Sequence, residues 1–532
     1  MKRKVSLFLA AILALTAAGC GEKKQQAKKG FELAEVTTTD AYPQNSDQKL
    51  TYWVTLHTLV SQSYKSLNET PFAQALREQT GIDVEFVHPT QGQEMEQFNL
   101  MIAGGTMCDI VEYGWTQYPG GITKAVDDGI VYPLNDLIDK VSPNLKKYLA
   151  ENEQINKELK TLDGDIMMYP LVRGDERLCT FQGFMVRDDL MKKAGITEDP
   201  ETIDEFEELL RALKANGVRL PLSMQNGYLH TAMMGAFGIM NGFYVEDGKV
   251  KYGFMEEEKV KAYVQRLANW YKEGLLDPNF YDKDGKAMNA DVTSGDVGVV
   301  FGSCGGNFGL WIPTLKETVP GAELRPIKYL SEKKGEKAKF GQYGNLYGGW
   351  GSAITTACEN PELAARFLDY GYSEAGHNLY NFGIEGESYI IKDGIPTYTE
   401  LVTDPSKNGG VSIGEGISKY ARASYYGPFI HDYNYITQYY SLPQQKKALE
   451  LWSDTDTAKY FMPNISLTAE ETKKQTKIMK DVTTVQDEYI TKYINGSYDA
   501  SNMDAFFSEL KDIGIEEAIE IEQAAYDRYL KN

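Results

Sequence analysis

The order of apolar and polar residues near residue 50 predicts a strand, a helix and a second strand. The segment LTYWVTL (residues 50–56) is short, rich in β-branched and aromatic residues and bounded by polar sequence, which is typical of a buried strand. In TPFAQALREQTGIDVEFVHP, apolar residues fall on one face of a helix that ends at Gly81, and Ile82, Val84 and Phe86 then alternate with polar residues. The pattern therefore indicates a β–α–β unit.

Two later stretches repeat this order of elements. In FNLMIAGGTMCDIVEYGW, an apolar helical face over residues 98–102 is followed by a break at residues 104–105 and a strand over residues 109–111. A further helix begins after Thr202, whose hydroxyl can cap it, and ends at residues 216–217 before the strand VRLPLS. Alternation of this kind predicts an α/β fold with parallel sheets that helices cover on both faces.

The N-terminal segment predicts export and a lipid anchor. Residues 2–4 are basic, residues 5–18 are almost wholly apolar, and small residues directly precede Cys20. The apolar run is shorter than the about 20 residues of a membrane-spanning helix, so we predict a signal peptide over residues 1–19. The small residues before Cys20 resemble the bacterial lipobox, which implies lipidation of Cys20; an ordinary secretory signal is the alternative. Residues 20–48 are too polar to form a core, and we predict a flexible tether there.

Length, charge and cysteine content narrow the class of protein. About 480 residues follow the tether, more than one hydrophobic core usually holds, which predicts two lobes. The formal net charge of −21 becomes about −24 without residues 2–4, and no basic stripe is present, so nucleic acid is not an expected partner. Cys108, Cys179, Cys304 and Cys358 lack the CxxC spacing of metal sites, while one or two disulfides remain an open alternative. We predict no metal site and no cofactor.

Six segments, in this order, carry a resemblance to a known family: LMIAGGTMCDIVEY, KEGLLDPNF, SGDVGVVFG, ITTACENPELAARFLDYGYSEAG, NFGIEGESYI and IEQAAYDRY. Over about residues 48–530 the chain resembles the family 1 extracellular solute-binding proteins, specifically the LplA-type lipoproteins of Gram-positive carbohydrate ABC importers. The resemblance implies a periplasmic-binding-protein-like fold of type II, an α/β fold with two lobes joined by crossing strands and a ligand cleft between them. Closure would be a hinge motion about the crossings.

The same resemblance implies where the lobes divide. It places the first crossing near residues 169–170 and the second near residues 345–352. The first lobe would combine residues 49–168 with about 350–400. The second would combine residues 169–349 with about 401–532.

Most candidate ligand-binding residues follow predicted strands, whereas Arg173 and Trp350 lie at the crossings that the resemblance implies. Ligands of open parallel sheets bind beyond the carboxyl ends of the strands, and sugars suit aromatic rings flanked by planar hydrogen-bonding groups. The resemblance adds that an aromatic residue in the place of Tyr113 meets the sugar in maltose-type binding proteins, and that SMQNGY resembles a sugar-contacting turn. The candidates are Trp53, His57, Glu112, Tyr113, Trp115, Gln117, Arg173, Asn226, Tyr228 and Trp350.

Several candidates have an equally simple structural role. Trp53 and Trp115 are as easily packing residues as ligand contacts, and a lone histidine such as His57 is more often structural. Arg173 is more readily explained as half of a surface ion pair. The tyrosine-rich segment over residues 425–440 could line a cleft rim or pack between helices. The pattern leaves both roles open.

These observations favour a lipid-anchored extracellular receptor of an ABC importer, which binds an oligosaccharide, is held at the outer face of the cell membrane and delivers its ligand to permease subunits. We expect a monomer and no catalytic residues. Two alternatives remain: an extracellular carbohydrate-active enzyme, or a sensor that presents ligand to a membrane kinase.

The carboxylate pairs at residues 127–128 and 188–189 do not by themselves assemble an acid and a base, and we interpret them as solvated charge at helix ends. Some relatives carry a calcium loop after the helix corresponding to residues 201–216. Only ANGVRLP stands there in this chain, so that calcium site is in doubt. YDKDGK at residues 281–286 has too few carboxylates to replace it.

Overall fold

A computed structural model describes residues 41–44, 46–115, 118–119, 121–423 and 426–531 of the 532-residue chain. The predicted signal peptide, most of the predicted tether, Cys20 and Gln117 lie outside the described residues. None of the described helices is both long enough and apolar enough to cross a membrane.

Strands and helices alternate along most of the chain. The described strands are β1 (Lys49–Trp53), β2 (Asp83–Val87), β3 (Ile110–Gly114), β4 (Tyr169–Arg173), β5 (Gln182–Arg187), β6 (Leu220–Met224), β7 (Phe243–Glu246), β8 (Lys249–Tyr252), β9 (Val297–Ser303), β10 (Leu324–Pro326), β11 (Tyr347–Ile354), β12 (Tyr389–Lys392), β13 (Ile395–Tyr398) and β14 (Ile430–His431).

The described α-helices are α1 (Thr58–Ser61), α2 (Pro71–Thr80), α3 (Glu94–Gly104), α4 (Gly121–Asp127), α5 (Asn135–Val141), α6 (Pro143–Glu151), α7 (Glu153–Glu158), α8 (Asp188–Lys193), α9 (Ile203–Ala215), α10 (Leu229–Met233), α11 (Glu257–Glu273), α12 (Gly285–Thr293), α13 (Gly306–Thr318), α14 (Pro361–Asp369), α15 (Glu374–Phe382), α16 (Glu400–Thr403), α17 (Ile413–Tyr420), α18 (Tyr433–Tyr439), α19 (Pro443–Trp452), α20 (Ala469–Ile494), α21 (Asp504–Ile513) and α22 (Ile515–Lys531).

The first sheet has six strands in the order β14-β4-β11-β3-β1-β2. Strand β1 pairs in parallel with β2 and β3, whereas β11 runs antiparallel between β3 and β4. Local signals fix the neighbouring helix α2: Thr70 caps its start, Pro71 occupies its first turn, and Gly81 ends it with a φ of 67°. The predicted β–α–β unit is therefore present, with β2 alternating between exposed and buried residues.

A second sheet has four strands in the order β10-β5-β9-β6 and its own hydrophobic core. Helix α9 covers it as the sequence predicts, with the Thr202 hydroxyl accepting a hydrogen bond from the Glu205 amide and with Phe206, Leu210 and Leu213 buried. Trp270 on α11 is buried against the same core. The C-terminal helices α20, α21 and α22 also contribute apolar residues to it.

The chain passes between the two sheets at residues 174–181, 327–346 and 440–443. The structure differs from the expected division over residues 413–431, because α17 contacts α1 and α2, and β14 pairs with β4 in the first sheet. Strand β14 has only two residues, too few to show a periodic pattern in the sequence. The sequence therefore gives no sign that this stretch belongs to the first lobe. The lobe boundaries as a whole remain a prediction.

The four cysteines beyond the N-terminal segment are free thiols, and Cys179, Cys304 and Cys358 are buried. Burial raises the pKa of the Cys179 thiol to about 11 and that of Cys358 to about 12. Among the described residues, no group of three or more His, Cys, Asp or Glu side chains is arranged to hold a metal ion.

Candidate functional site

A pocket of about 390 Å³ lies at the carboxyl-terminal edge of the six-stranded sheet. Strand β1 leads into Thr55 and His57, β3 carries Glu112 and Tyr113, and β11 supplies Trp350. This is the edge at which open parallel sheets bind their ligands. The described lining residues are Thr55, His57, Glu94, Met95, Glu112, Tyr113, Trp350, Arg422 and Tyr426.

Strand register brings Tyr113 and Trp350 together. Because β11 runs antiparallel to β3 with Trp350 opposite Gly114, the two rings meet edge to face with their centroids 6.1 Å apart. The Tyr113 ring also stacks on Phe98 of α3 at 4.0 Å. Burial, and then the charge of Glu94, raise the pKa of Tyr113.

Tyr426 stacks face to face on Trp350. The ring centroids are 4.1 Å apart and the planes differ by 5°. Tyr426 is 44% exposed, so its ring presents apolar surface to the pocket. Aromatic faces of this kind suit the C–H faces of pyranose or furanose rings as well as other flat apolar groups.

A buried polar network lies beneath these rings. Arg422 donates from both terminal nitrogens to the Glu112 carboxylate, at 2.8 and 3.0 Å. The Tyr52 hydroxyl donates to the same carboxylate at 2.7 Å and shares a hydrogen bond of 2.5 Å with Ser352. The network ties β1, β3 and β11 to the segment that follows α17.

His57 lies at the pocket wall and caps helix α1. Its Nδ1 accepts a hydrogen bond from the Leu59 amide at 3.3 Å, so the neutral ring carries its proton on Nε2. Burial and the charge of Arg422 lower the pKa of His57 to about 4. The ring is therefore neutral at physiological pH.

The structure brings four of the predicted residues to this pocket, namely His57, Glu112, Tyr113 and Trp350. Trp53 and Trp115 are instead buried in the core beneath it, at 5% and 0% exposure. The Trp115 indole donates to the Val111 carbonyl at 3.3 Å, which turns its ring inward. Gln117 lies outside the described residues.

The remaining predicted residues lie apart from the pocket. Arg173 ends β4 and donates to the Asn345 carbonyl at the crossing. Asn226 is exposed, and its amide donates to the Lys283 carbonyl at 2.8 Å. The Tyr228 ring packs edge to face on Phe301 in the second core, with centroids 5.8 Å apart.

A second concavity, of about 270 Å³, lies where β5 of the four-stranded sheet begins. Gln342 shapes it, because its side-chain oxygen accepts from the amides of Phe181 and Gln182 at 2.7 and 3.1 Å. His230 lies on its wall, and burial lowers the pKa of this ring to about 4. The polar and aromatic residues that line it are Gln182, His230, Thr231, Asn241, Phe340, Gln342, Tyr343 and Phe461.

Comparison with known proteins assigns the family. Residues 64–378, more than half of the chain, match the bacterial extracellular solute-binding proteins. The chain belongs to this family. The resemblance drawn from the six sequence segments is therefore confirmed.

Two curated relatives of this solute-binding protein are similar in sequence. FusA of Streptococcus pneumoniae serotype 4, named a fructooligosaccharide ABC transporter substrate-binding protein, is 24% identical, with 99% of this chain and 98% of FusA aligned. The lipoprotein LipO of Bacillus subtilis is 26% identical over 63% of this chain and 66% of its own.

Solved structures confirm the predicted two-lobe fold. The alginate-binding protein AlgQ2, in a crystal structure without calcium ion, aligns with a TM-score of 0.73 and 24% identity over 92% of this chain and all of its own. FusA in complex with kestose aligns with a TM-score of 0.72 and 23% identity over 91% of this chain and all of its own.

Sequence reasoning missed several residues at the pocket of this solute-binding protein. Arg422 is a lone arginine with no motif around it, and it reaches Glu112 from 310 positions away. Glu94 and Met95 begin α3, one helix before the strand that carries Tyr113. Tyr426 belongs to the tyrosine-rich segment for which rim lining and helix packing both stayed open; Tyr435 and Tyr440 of that segment are buried.

The carboxylate pair at residues 188–189 differs from the expected solvated charge. Asp188 begins α8 but is only 6% exposed, and it accepts from Arg325 at 2.6 Å. Asp189 accepts from two nitrogens of Arg187 at 2.8 and 2.7 Å. These partners hold the pKa of both carboxyl groups below the usual range even though burial opposes them, so neither is a proton donor at neutral pH.

Proposed function

We propose that this chain is the extracellular receptor subunit of an ABC importer and that it captures an oligosaccharide in the pocket at the carboxyl edge of the six-stranded sheet. The observation that carries the proposal is the aromatic wall of Tyr113, Trp350 and Tyr426 set beside hydrogen-bonding groups in a member of this family. FusA, the relative that aligns over nearly the whole chain, is named for fructooligosaccharide transport.

Each part of the pocket has a chemical role in sugar binding. The ring faces would pack against sugar C–H groups, while Thr55, His57 and Glu94 would exchange hydrogen bonds with hydroxyls. Residues of the concavity at β5 would meet the ligand from the second lobe when the lobes close. These additional contacts would exist only in the closed form, so the ligand would bind that form more tightly. Binding would therefore shift the equilibrium between the open and closed forms toward the closed one.

Membrane attachment belongs to the same proposal. Cys20 follows a short apolar run and small residues, and the relative LipO is named a lipoprotein. Lipidation at Cys20 would hold the receptor at the outer face of the membrane, with residues 20–48 as a tether, and permease subunits would accept the ligand. We also propose that the protein acts without catalysis and as a monomer.

The test is a thermal-shift screen of the protein from Gly21 onward against neutral and acidic oligosaccharides and against peptides. A ligand at 100 times its dissociation constant should stabilise the fold by about 2.7 kcal/mol. Trp350→Ala and Tyr113→Ala should abolish the shift. Tyr281→Ala, which removes an exposed tyrosine of the other lobe, is the matched control and should keep it.

Three outcomes would contradict the proposal. A shift with peptides alone would change the ligand class, and cleavage of the bound glycan on standing would favour the enzyme. A deletion strain that still imports the sugar but no longer induces its transport genes would favour the sensor. The anchored receptor would be supported if wild-type protein restores sugar uptake to the deletion strain, whereas a Cys20→Ala variant is released into the medium and does not restore uptake.

A further inference from the structure

The charges that line the pocket are unevenly balanced. The charged residues among the described lining are Glu94, Glu112 and Arg422. No lysine lies among these described lining residues. In the sequence, the undescribed positions next to Trp115 and Tyr426, namely 116, 117, 424 and 425, are Thr, Gln, Ser and Tyr, which are uncharged at neutral pH. The described lining therefore carries two carboxylates and one guanidinium.

That guanidinium is already committed to a carboxylate. Arg422 and Glu112 form a two-point ion pair at 2.8 and 3.0 Å, and their side chains are only 1% and 4% exposed. Arg422 is almost wholly buried and donates from both terminal nitrogens to Glu112, so a ligand carboxylate that replaced Glu112 would leave a buried carboxylate without its counter-charge. The pair thus contributes almost no net charge to the pocket.

Once the Arg422–Glu112 pair is set aside, Glu94 is the remaining charged side chain of the described lining. It begins α3 at the pocket rim, half-buried, and the Gly92 amide donates to its Oε1 at 2.9 Å, which fixes its position. Its charge is felt inside the pocket, since it contributes to the raised pKa of Tyr113. His57 adds no compensating positive charge, because its ring is neutral.

We propose that this pocket selects uncharged oligosaccharides and that Glu94 is the residue that excludes glycans bearing carboxylates. The inference rests on the proposed function and refines it. A hydroxyl can donate to the Glu94 carboxylate, whereas a uronic acid would place like charges close together in a partly desolvated pocket. Specificity of this kind comes from a repulsive element set against the wrong ligand.

Fold similarity does not decide this point. A protein named for alginate, an acidic glycan, and one solved with kestose, a neutral one, match this chain almost equally well. Arg173, the cation at the crossing, is not among the lining residues and donates to the Asn345 carbonyl instead. The charge of the described lining is therefore the observation that separates the two ligand classes.

The experiment uses matched pairs of ligands. Cellotetraose, maltotetraose and kestose are each compared with the derivative in which C6 hydroxymethyl groups are oxidised to carboxylates. Titration calorimetry on the protein from Gly21 onward gives the ratio of the two dissociation constants for every pair that binds. The ratio is measured at low and high salt for wild type, Glu94→Gln and the control Glu96→Gln, an exposed glutamate on the same helix.

We expect the oxidised form to bind at least tenfold more weakly to wild type, with the ratio falling at high salt because salt screens the repulsion. Glu94→Gln should reduce the ratio at least threefold, and Glu96→Gln should leave it unchanged. Equal or tighter binding of the oxidised form, or an unchanged ratio in Glu94→Gln, overturns the inference while the proposed function stands. Binding of no oligosaccharide at all overturns the proposed function and this inference with it.

Discussion

Arg422 and Glu112, 310 positions apart in the sequence, form a two-point ion pair beneath the pocket. The pair fastens the segment after α17 to the middle of β3, so the chain that carries Tyr426 is held over the strand that carries Tyr113. Both side chains are almost wholly buried. One contact therefore supports both the fold of the first lobe and the shape of its pocket.

Replacing Arg422 with Met should cost about 3–5 kcal/mol in the free energy of unfolding, because the Glu112 carboxylate would stay buried without its cation. Urea denaturation monitored by circular dichroism measures the change. The double variant Arg422→Met, Glu112→Gln should recover part of the loss, since no buried charge then remains.

Arg219→Ala is the matched control for that experiment. Arg219 is 55% exposed and pairs with Asp291 and Asp296 at the surface, so its loss should cost less than about 1 kcal/mol. Equal costs for Arg422→Met and Arg219→Ala would contradict a special role for the buried pair.

Stacking of Tyr426 on Trp350 should appear in binding and in fluorescence. Tyr426→Ala removes one ring of the pair and should weaken the glycan found by the thermal-shift screen about five- to tenfold, whereas Tyr426→Phe keeps the ring and most of the affinity. Ligand should change the tryptophan emission of wild type, and Trp350→Phe should lose that change. A full response in Trp350→Phe would show that the ligand binds elsewhere.

Sequence reasoning succeeded where the determinants of structure are local. The Thr70 cap, Pro71 and Gly81 define α2 within twelve residues, and the alternation of β2 is visible without its neighbours. The placement of residues 413–431 depends instead on the pairing of β14 with β4. This pairing involves only two residues of β14, and their partners lie more than 250 positions earlier in the sequence. No pattern in the segment itself could reveal that partner.

The candidate site divides in the same way. Tyr113 could be chosen because it follows a predicted strand, and Trp350 because the resemblance places it at the second crossing. In the structure β11 pairs with β3 and the two rings are in contact. Trp115, chosen by the same rule, lies one residue past β3, where its indole turns back to the Val111 carbonyl. All five residues of β3 are buried, so alternation could not tell inward from outward positions.

Ligand affinity should be nearly constant from pH 8 to pH 5. The pKa of His57 is lowered to about 4, so the ring stays neutral over this range and gains a proton only below it. Calorimetric titrations at half-unit pH intervals measure this, with His57→Gln as the variant that cannot titrate. A fall in affinity centred near pH 6.5 in wild type and absent from His57→Gln would mean that the ring is not buried as described.

Gly351 should tolerate no side chain. A Cβ at this position of β11 would lie 2.6 Å from the Tyr169 carbonyl oxygen and 2.8 Å from the Met168 sulfur, where β11 pairs with β4. Gly351→Ala should therefore lower stability by about 1–3 kcal/mol. In Gly348→Ala the nearest atom is a terminal nitrogen of Arg173 at 3.7 Å, so its melting temperature should stay close to wild type.

Glu522 of α22 should make the free energy of unfolding fall as pH rises, whereas most carboxylates make it rise. Burial raises the pKa of Glu522 to about 7 against a hydrogen bond from Gln475, and the charge of Glu471 adds to the shift. A carboxyl group whose folded pKa lies above its unfolded value stabilises the fold below the unfolded pKa, near pH 4.5, and this contribution is lost as pH rises through 7.

Glu522→Gln mimics the protonated acid, so it should exceed wild type by about 1–3 kcal/mol at pH 8, with the gap shrinking toward pH 4.5. Denaturation curves at pH 4.5, 6, 7 and 8 measure the gap, and Glu520→Gln, an exposed neighbour on the same helix, should show none. A gap that is independent of pH would mean that Glu522 has the same pKa in the folded and the unfolded protein, and that the C-terminal helices pack more loosely around it than its buried position implies.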